Sequence, residues 1–382
     1  MSLKFASLAL LSLAFGLTSC DKNDDETAPA LRSKMDSSTL TASSKYTESF
    51  KNASGQSTVD LTTANTRLDM FSEFNSYMAQ VAVALPAAPA VLDLNRLNSL
   101  YTGSTFTSKP TLNDAALQLR AATAASFSSA NADVTRRYID QKLSQLAVAS
   151  QSVNQVATPG SAGRLGRYLV DDKGYEVNQI IQKALIGVVL LDQIDNVLLS
   201  EQGLKADNSK VVEGKAYSAL EHNWDLAYGY LTANAIMTTD IALTPRERFL
   251  AGYLNEKNGP ASPGVYLAFL KGRAAIVNND AAGVKAQADI IRTELEKTIA
   301  LSAVSYLSSW KAAAALDTKT HALGEGLGFI YSLRSCTRFG ADAAFSDGVL
   351  TGLTSGSQGA WSLTNAQADV AINAIKAKFN LQ

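Results

Sequence analysis

An all-α, multi-helix bundle with two pseudo-equivalent halves is the fold predicted for this 382-residue chain. Three observations predict it. The composition is rich in Ala and Leu, with only 8 Pro and 46% hydrophobic residues, which favours helices around a large core. Apolar residues recur at helical spacing from Thr66 onward. Strand signals are sparse, with no hairpin pattern and no alternating strand–helix array.

The N-terminus is read as a targeting segment and kept out of the fold. Lys4 gives a positive start, Phe5 to Leu17 is apolar, and Leu17-Thr18-Ser19-Cys20 resembles the lipobox of bacterial lipoproteins. Residues 1–19 are then a signal peptide, and Cys20 becomes a lipidated N-terminus that anchors the chain to a membrane. The acidic run Asp21-Lys22-Asn23-Asp24-Asp25-Glu26 resembles export signals of surface lipoproteins. The expected location is the outer membrane, on its periplasmic or cell-surface face. Residues 20–45 are polar, Ser/Thr-rich and without periodicity, so they read as a flexible tether. Residues 46–382 form the helical domain. If Cys20 is acylated, Cys336 is the sole free thiol, and it reads as a buried structural cysteine.

Within that domain the pattern predicts helices over Thr66–Ala84, Leu92–Tyr101, Leu112–Phe127 and Asp133–Val153, the last anchored by Val134, Tyr138, Leu143 and Leu146. Ala157 to Gly163 is a break. Tyr175–Leu199 is the most apolar helix, yet Lys183 and Asp192 interrupt it, so it reads as a core helix and not a membrane span. Val211–Met237 is read as one long helix. Thr244-Pro245-Arg246-Glu247 reads as a capped helix start running to about Asn255. Further helices are expected at Val265–Asn278, Ala281–Ala300, Val304–Ala315, Thr320–Leu333 and Asn365–Phe379.

Lysines and arginines (34) balance aspartates and glutamates (35), so no basic excess exists to neutralise phosphates, and nucleic acid is not an expected partner. Only two histidines occur, each followed by a carboxylate at helical spacing: His222 with Asp225, and His321 with Glu325. In both helices the histidine side carries small residues. These are Ser218 and Gly229 in one, and Gly324, Gly328 and Ser332 in the other, facing away from a large apolar stripe. Such faces admit a close neighbour. Converging, they would give a mixed nitrogen/oxygen site suited to iron or zinc, or to general acid/base work. No His-Glu-x-x-His or Gly-x-Ser-x-Gly pattern is present. Glu176 and Lys183 share a helix face and could line the same cleft. Arg273 could hold a carboxylate through bidentate hydrogen bonds.

The segments Glu221-His222-Asn223-Trp224-Asp225-Leu226-Ala227-Tyr228-Gly229 and His321-Ala322-Leu323-Gly324-Glu325-Gly326-Leu327-Gly328-Phe329-Ile330, with Lys173-Gly174-Tyr175-Glu176 and Lys271-Gly272-Arg273-Ala274-Ala275-Ile276, resemble an uncharacterised lipoprotein family related to the imelysins. The resemblance runs from about Tyr46 to the end. It implies an imelysin-like fold of two helical halves around a cleft, and a role in iron or haem uptake beside an outer-membrane transporter. In the imelysin pattern Gly-x-His-x-x-Glu, His222 is kept while Leu220 and Asp225 occupy the Gly and Glu positions. The expected function is therefore metal or metal-chelate binding through His222, Asp225, His321 and Glu325, with Glu176 and Arg273 nearby. The alternatives are a metal-dependent peptidase or hydrolase, and a non-catalytic structural or adaptor lipoprotein.

Overall fold

The computed structural model describes residues 31–82, 88–232, 234, 249–258 and 262–382. The signal peptide, Cys20 and the Thr244–Glu247 helix start lie outside the described residues. The rest forms 13 α-helices and one two-stranded hairpin, as an all-α bundle requires.

Six elements come first: α1 (Tyr46–Ser49), α2 (Thr62–Met78), α3 (Leu94–Tyr101), α4 (Leu119–Ala122), α5 (Ser129–Ser150) and the hairpin of β1 (Gly163–Leu165) with β2 (Tyr168–Val170). Then follow α6 (Val177–Leu185), α7 (Ala219–Leu231), α8 (Leu250–Asn258), α9 (Ser262–Val277), α10 (Ala281–Ala312), α11 (Leu316–Ser332), α12 (Ala343–Thr354) and α13 (Asn365–Phe379). Helix α6 continues into a π-helical stretch, Ile186–Leu198. This 177–198 rod is long and apolar enough to cross a bilayer, but 94% of its most apolar window is buried within the fold, as the core-helix reading expected.

Several boundaries differ from the expected ones. The helix carrying His222 begins at Ala219, not Val211, because Ser218 and Glu221 form a capping box that sets its start. Residues 112–127 are short turns around α4 and not one helix, and Ala124 adopts a left-handed φ of 54°. Ala281–Ala312 is one continuous helix, since nothing between Ala300 and Val304 breaks it, and the Ser302 hydroxyl turns back on the Thr298 carbonyl. The hairpin was unexpected, and Gly166 with φ 56° makes its turn. Helix α12 was also unexpected; Asp342 caps it through the Phe345 amide. In α5, Val134 is 52% exposed, and Ile139, Leu143 and Leu146 carry the buried face.

The expected tether also ends early. Arg32 reaches Glu221 and the Ala216 carbonyl, and Met35 exchanges two backbone–side-chain hydrogen bonds with Asn278. Tyr266 donates its hydroxyl to the Ser44 carbonyl, and Leu40 is buried. Residues 31–45 are a strap on the bundle.

Helices α6 and α11 pack unusually closely. A Cβ on Gly328 would lie 2.5 Å from Lys183 Cβ and 2.7 Å from the Ile180 carbonyl oxygen, and one on Gly324 would lie 3.0 Å from the Glu176 carbonyl oxygen. Ser332, one turn on, donates to the carbonyls of Lys183 (2.7 Å) and Ala184 (3.1 Å), against Gly187. Gly348 in α12, by contrast, has nothing within 4 Å of a built Cβ. Ala at either position gains helix propensity of about 1 kcal/mol. At Gly328 the collision is with backbone, so overpacking of about 1–3 kcal/mol outweighs that gain. Chemical denaturation should therefore show G328A destabilised and G348A stabilised. Equal shifts for both variants would remove the close-packing account.

Candidate functional site

The α6–α11 contact builds a polar cluster between hydrophobic layers. Glu176, at the start of α6, places Oε2 2.7 Å from His321 Nδ1. Glu325, one turn beyond His321, places Oε2 3.7 Å from Nε2, too far for a hydrogen bond. Lys183, two turns along α6 from Glu176, sets its ammonium 3.0 Å from Glu325 Oε1. The same ammonium donates to Gln182 and lies over the Tyr253 ring at 5.3 Å. Tyr253 of α8 donates a long 3.5 Å hydrogen bond to Glu325, and Tyr306 of α10 donates to the Tyr253 hydroxyl at 3.3 Å. Tyr168 of β2 stacks on the imidazole, centroids 4.2 Å apart and planes within 8°.

The geometry gives the two imidazole nitrogens different surroundings. Nδ1 is held by a carboxylate that is 1% exposed, whereas the His321 side chain as a whole is 30% exposed. A carboxylate on one ring nitrogen fixes the tautomer and ring orientation and raises the basicity of the other nitrogen. Burial raises the Glu176 pKa, against the pull of His321 and Lys183. Burial alone would lower that of His321, but the hydrogen bond to Glu176, its charge and the charge of Glu325 outweigh it, so the His321 pKa is raised. The cluster can thus hold a proton, or offer Nε2 and a Glu325 oxygen side by side.

Around Arg273 lies a second cluster that shares no residue with the first. This arginine of α9 is fully buried. It donates from Nε to Asp225 (2.9 Å), from Nη1 to Glu221 (2.8 Å) and from Nη2 to Thr58 (3.0 Å), with Phe50 beneath its plane at 5.1 Å. Tyr46 donates to Asp225 at 2.8 Å, and Arg32 from the strap pairs with both oxygens of Glu221 at 2.5 Å. Arg273 does hold carboxylates, as its type suggested. They come from α7, however, and its complete burial takes it off any cleft wall. Burial pushes Asp225 up to about 6 despite Arg273 and Tyr46. For Glu221, the hydrogen bond from Arg32 and the charge of Arg273 outweigh burial and lower the pKa.

His222 belongs to neither cluster. Its ring stacks on Tyr217, centroids 4.3 Å apart, and Nδ1 is buried without a hydrogen bond. Burial lowers its pKa, with Asp60 pulling it up and Lys215 down. Among the described residues no hydrogen bond, ion pair or ring contact joins His222 to Asp225, or either of them to His321 and Glu325. Of the expected ligand set, the structure brings together His321, Glu325 and Glu176, whereas His222 and Asp225 each take other partners. No group of three or more His, Cys, Asp or Glu is arranged to hold a metal among the described residues.

Sequence reasoning missed Tyr168, Tyr253 and Tyr306, since nothing local to an aromatic residue marks it as facing a distant histidine. A buried acid pair was missed as well. Asp195 of the π-helical stretch is unexposed with both oxygens unpartnered, and burial with the Glu296 charge raises its pKa well above the ordinary value. Glu296, which accepts the Arg338 and Phe339 amides, is pushed up to about 7 by burial. Beside them Cys336 is fully buried, as expected, and burial raises its thiol pKa.

Residues 44–382 match a family described as a domain of unknown function, DUF4856. The chain belongs to the DUF4856 family. No curated protein and no solved structure matches it. The match covers the named residues of both clusters except Arg32, which lies with the rest of the strap before residue 44 ahead of it.

The Asp225 pKa makes a sign-specific prediction. Its folded value, about 6, exceeds the ordinary 3.8, so the folded state binds the extra proton between these values. Its contribution to stability is complete below about pH 4 and is lost as pH rises through about 6. Relative to D225N, the wild type should therefore gain about 3 kcal/mol on acidification across that window. A stability difference that stays flat between pH 4 and 6 would show that Asp225 keeps an ordinary pKa.

Proposed function

We propose that this protein is a cell-envelope lipoprotein that binds a metal chelate, of the kind handled in iron or haem uptake, at His321 and Glu325. The observation that carries the reading is the Glu176–His321 hydrogen bond, which leaves Nε2 as the available donor 3.7 Å from a Glu325 oxygen. One ion about 2 Å from each donor fits that spacing. Two protein donors, with the Lys183 ammonium opposite, leave the remaining coordination to the ligand's own atoms. That favours a chelate over a bare iron or zinc ion. Tyr168 supplies an aromatic face stacked on His321, and Tyr253 another beneath the Lys183 ammonium. The iron and transporter parts of the reading follow from the imelysin resemblance alone.

A hydrolase is the second reading, favoured by the same hydrogen bond: Glu176 orients His321 as a general base. Activity without metal, lost in H321A, would select it.

Two outcomes test the first reading. Titration of the purified protein with haem and with ferric and zinc ions, followed by absorbance and calorimetry, should show binding that H321A weakens at least about tenfold. H222A should leave it unchanged. Affinity should fall as pH drops through the His321 pKa, which lies above 6.5, because the imidazolium cannot be a ligand. Equal losses for H222A and H321A, or no binding by wild type, would reject the site. Separately, Cys20→Ser should move the protein out of the membrane fraction, because an acyl anchor on that sulfur is the proposed attachment. Retention after a salt wash would reject the lipoprotein reading.

A further inference from the structure

The strap does more than cross the surface: together with the turn after α1 it encloses a cavity of about 530 Å³. The cavity lies between residues 31–35 and 49–53, over Phe50 and Val277. Among the described residues its lining includes three cations, Arg32, Lys34 and Lys51, and no carboxylate. In a chain of net charge −1 that is a local concentration of one sign.

The charges there are not equally committed. Arg32 uses Nε and Nη2 on Glu221 and the Ala216 carbonyl, which leaves Nη1 available. Lys34 and Lys51 are exposed, and neither ammonium enters an ion pair or hydrogen bond among the described residues. The carboxylates nearest in sequence are already engaged. Asp36 accepts from Ser38, and Glu48 pairs with Lys45 at 2.8 Å. Glu221 is shared by Arg32 and Arg273, so its charge is offset from behind. Beneath the floor, Thr58 accepts from Arg273 while donating to the Phe50 carbonyl, which fixes that wall to the buried ion cluster.

We propose that this cavity is a binding site for a phosphate-bearing anion, held by Lys34, Lys51 and the spare edge of Arg32. Two point charges and a planar donor edge around one volume suit a group with several oxygens sharing negative charge. The apolar floor leaves room for a small organic moiety attached to the phosphate. Free phosphate and a lipid headgroup have this chemistry in common. If Cys20 carries an acyl anchor, the 11-residue step from Cys20 to Leu31 keeps the cavity within about 40 Å of the bilayer, in reach of headgroups. The free-phosphate case does not depend on that anchor, and neither depends on His321.

The test titrates the full chain with three soluble probes: inorganic phosphate, dihexanoyl-phosphatidylglycerol and dihexanoyl-phosphatidylcholine. Wild type is compared with the double variant K34E/K51E by calorimetry at low salt. Both lysines are exposed, so the variant should keep the wild-type helical spectrum and melting temperature. Binding of phosphate or phosphatidylglycerol, weakened at least about tenfold in the variant and by added salt, is the expected result. Phosphatidylglycerol binding at least about tenfold tighter than phosphate assigns the headgroup, and equal affinities assign free phosphate. The proposal is overturned if neither probe binds, if the variant binds as wild type does, or if zwitterionic phosphatidylcholine binds as well as phosphatidylglycerol.

Discussion

The candidate site depends on how closely α11 lies on α6. Glu176, Ile180, Lys183 and Gly187 form one face of the α6 rod, and Gly324, Gly328 and Ser332 form the facing row of α11. Larger residues in that row would push the helices apart by the width of a side chain. The short carboxylate–imidazole contact at 2.7 Å and the ammonium–carboxylate contact at 3.0 Å would then both open. The interior glycines of α11 cost helix propensity, about 1 kcal/mol each relative to alanine. The cost is offset by the close interhelical packing they permit. Ser332 adds a polar tie: it bonds the Lys183 and Ala184 carbonyls where the α-helical ladder gives way to the π-helical one. Irregular turns of this kind often lie beside functional groups, and here the irregularity begins three residues after Lys183.

The two ion clusters solve the problem of buried charge in different ways. Around Arg273, two carboxylates face two guanidinium groups, with Tyr46 and Thr58 adding hydrogen bonds, while Asp225 Oδ2 is buried without one. Removing any one charged member of such a set would leave a buried charge uncompensated, which makes the cluster costly to break. The cluster ties α7, α9, the α1 turn and the strap together, so its role is to fix their positions. The His321 cluster differs in being partly exposed, its imidazole side chain at 30%. Glu325 receives one ammonium and one long tyrosine hydrogen bond, and its second oxygen stops 3.7 Å short of the imidazole. A partly exposed ring beside a carboxylate oxygen that no hydrogen bond ties to it can be reached from outside, and for that reason the functional reading rests here.

What the sequence made legible follows from which signals are local. Periodicity gave the helical class and most long elements, and the glycine row of α11 announced a close neighbour without naming α6. The histidine–carboxylate spacing was a weaker guide. His321 and Glu325 do face one cluster, but His222 and Asp225 on α7 point to different partners. A helix buried on several sides has no single polar face, and three residues on such a helix separate Tyr217 from Arg273 as neighbours. The Ser218–Glu221 capping box was a local signal for the true start of α7. Read with the periodicity, it would have shown that Glu221 is partly occupied at the helix start. The tyrosines around His321 had no such signal, because their roles arise from contacts across more than 50 residues of sequence.

The strap shows why composition misleads at a domain edge. Residues 31–45 look like a tether because they are polar and aperiodic, yet order there comes from a few specific bonds and not from burial of an apolar face. Arg32 supplies the second positive charge that the Glu221–Asp225 pair needs. Without it, Arg273 alone would face two buried carboxylates, and the cluster would carry an uncompensated negative charge at a site where Glu221 is 1% exposed. The strap is therefore bound to the domain by electrostatic necessity, although it lies ahead of the family match at residue 44. In holding itself in place, the same segment borders a cationic cavity whose lysines have no carboxylate partner among the described residues, and the anion proposed above would supply one.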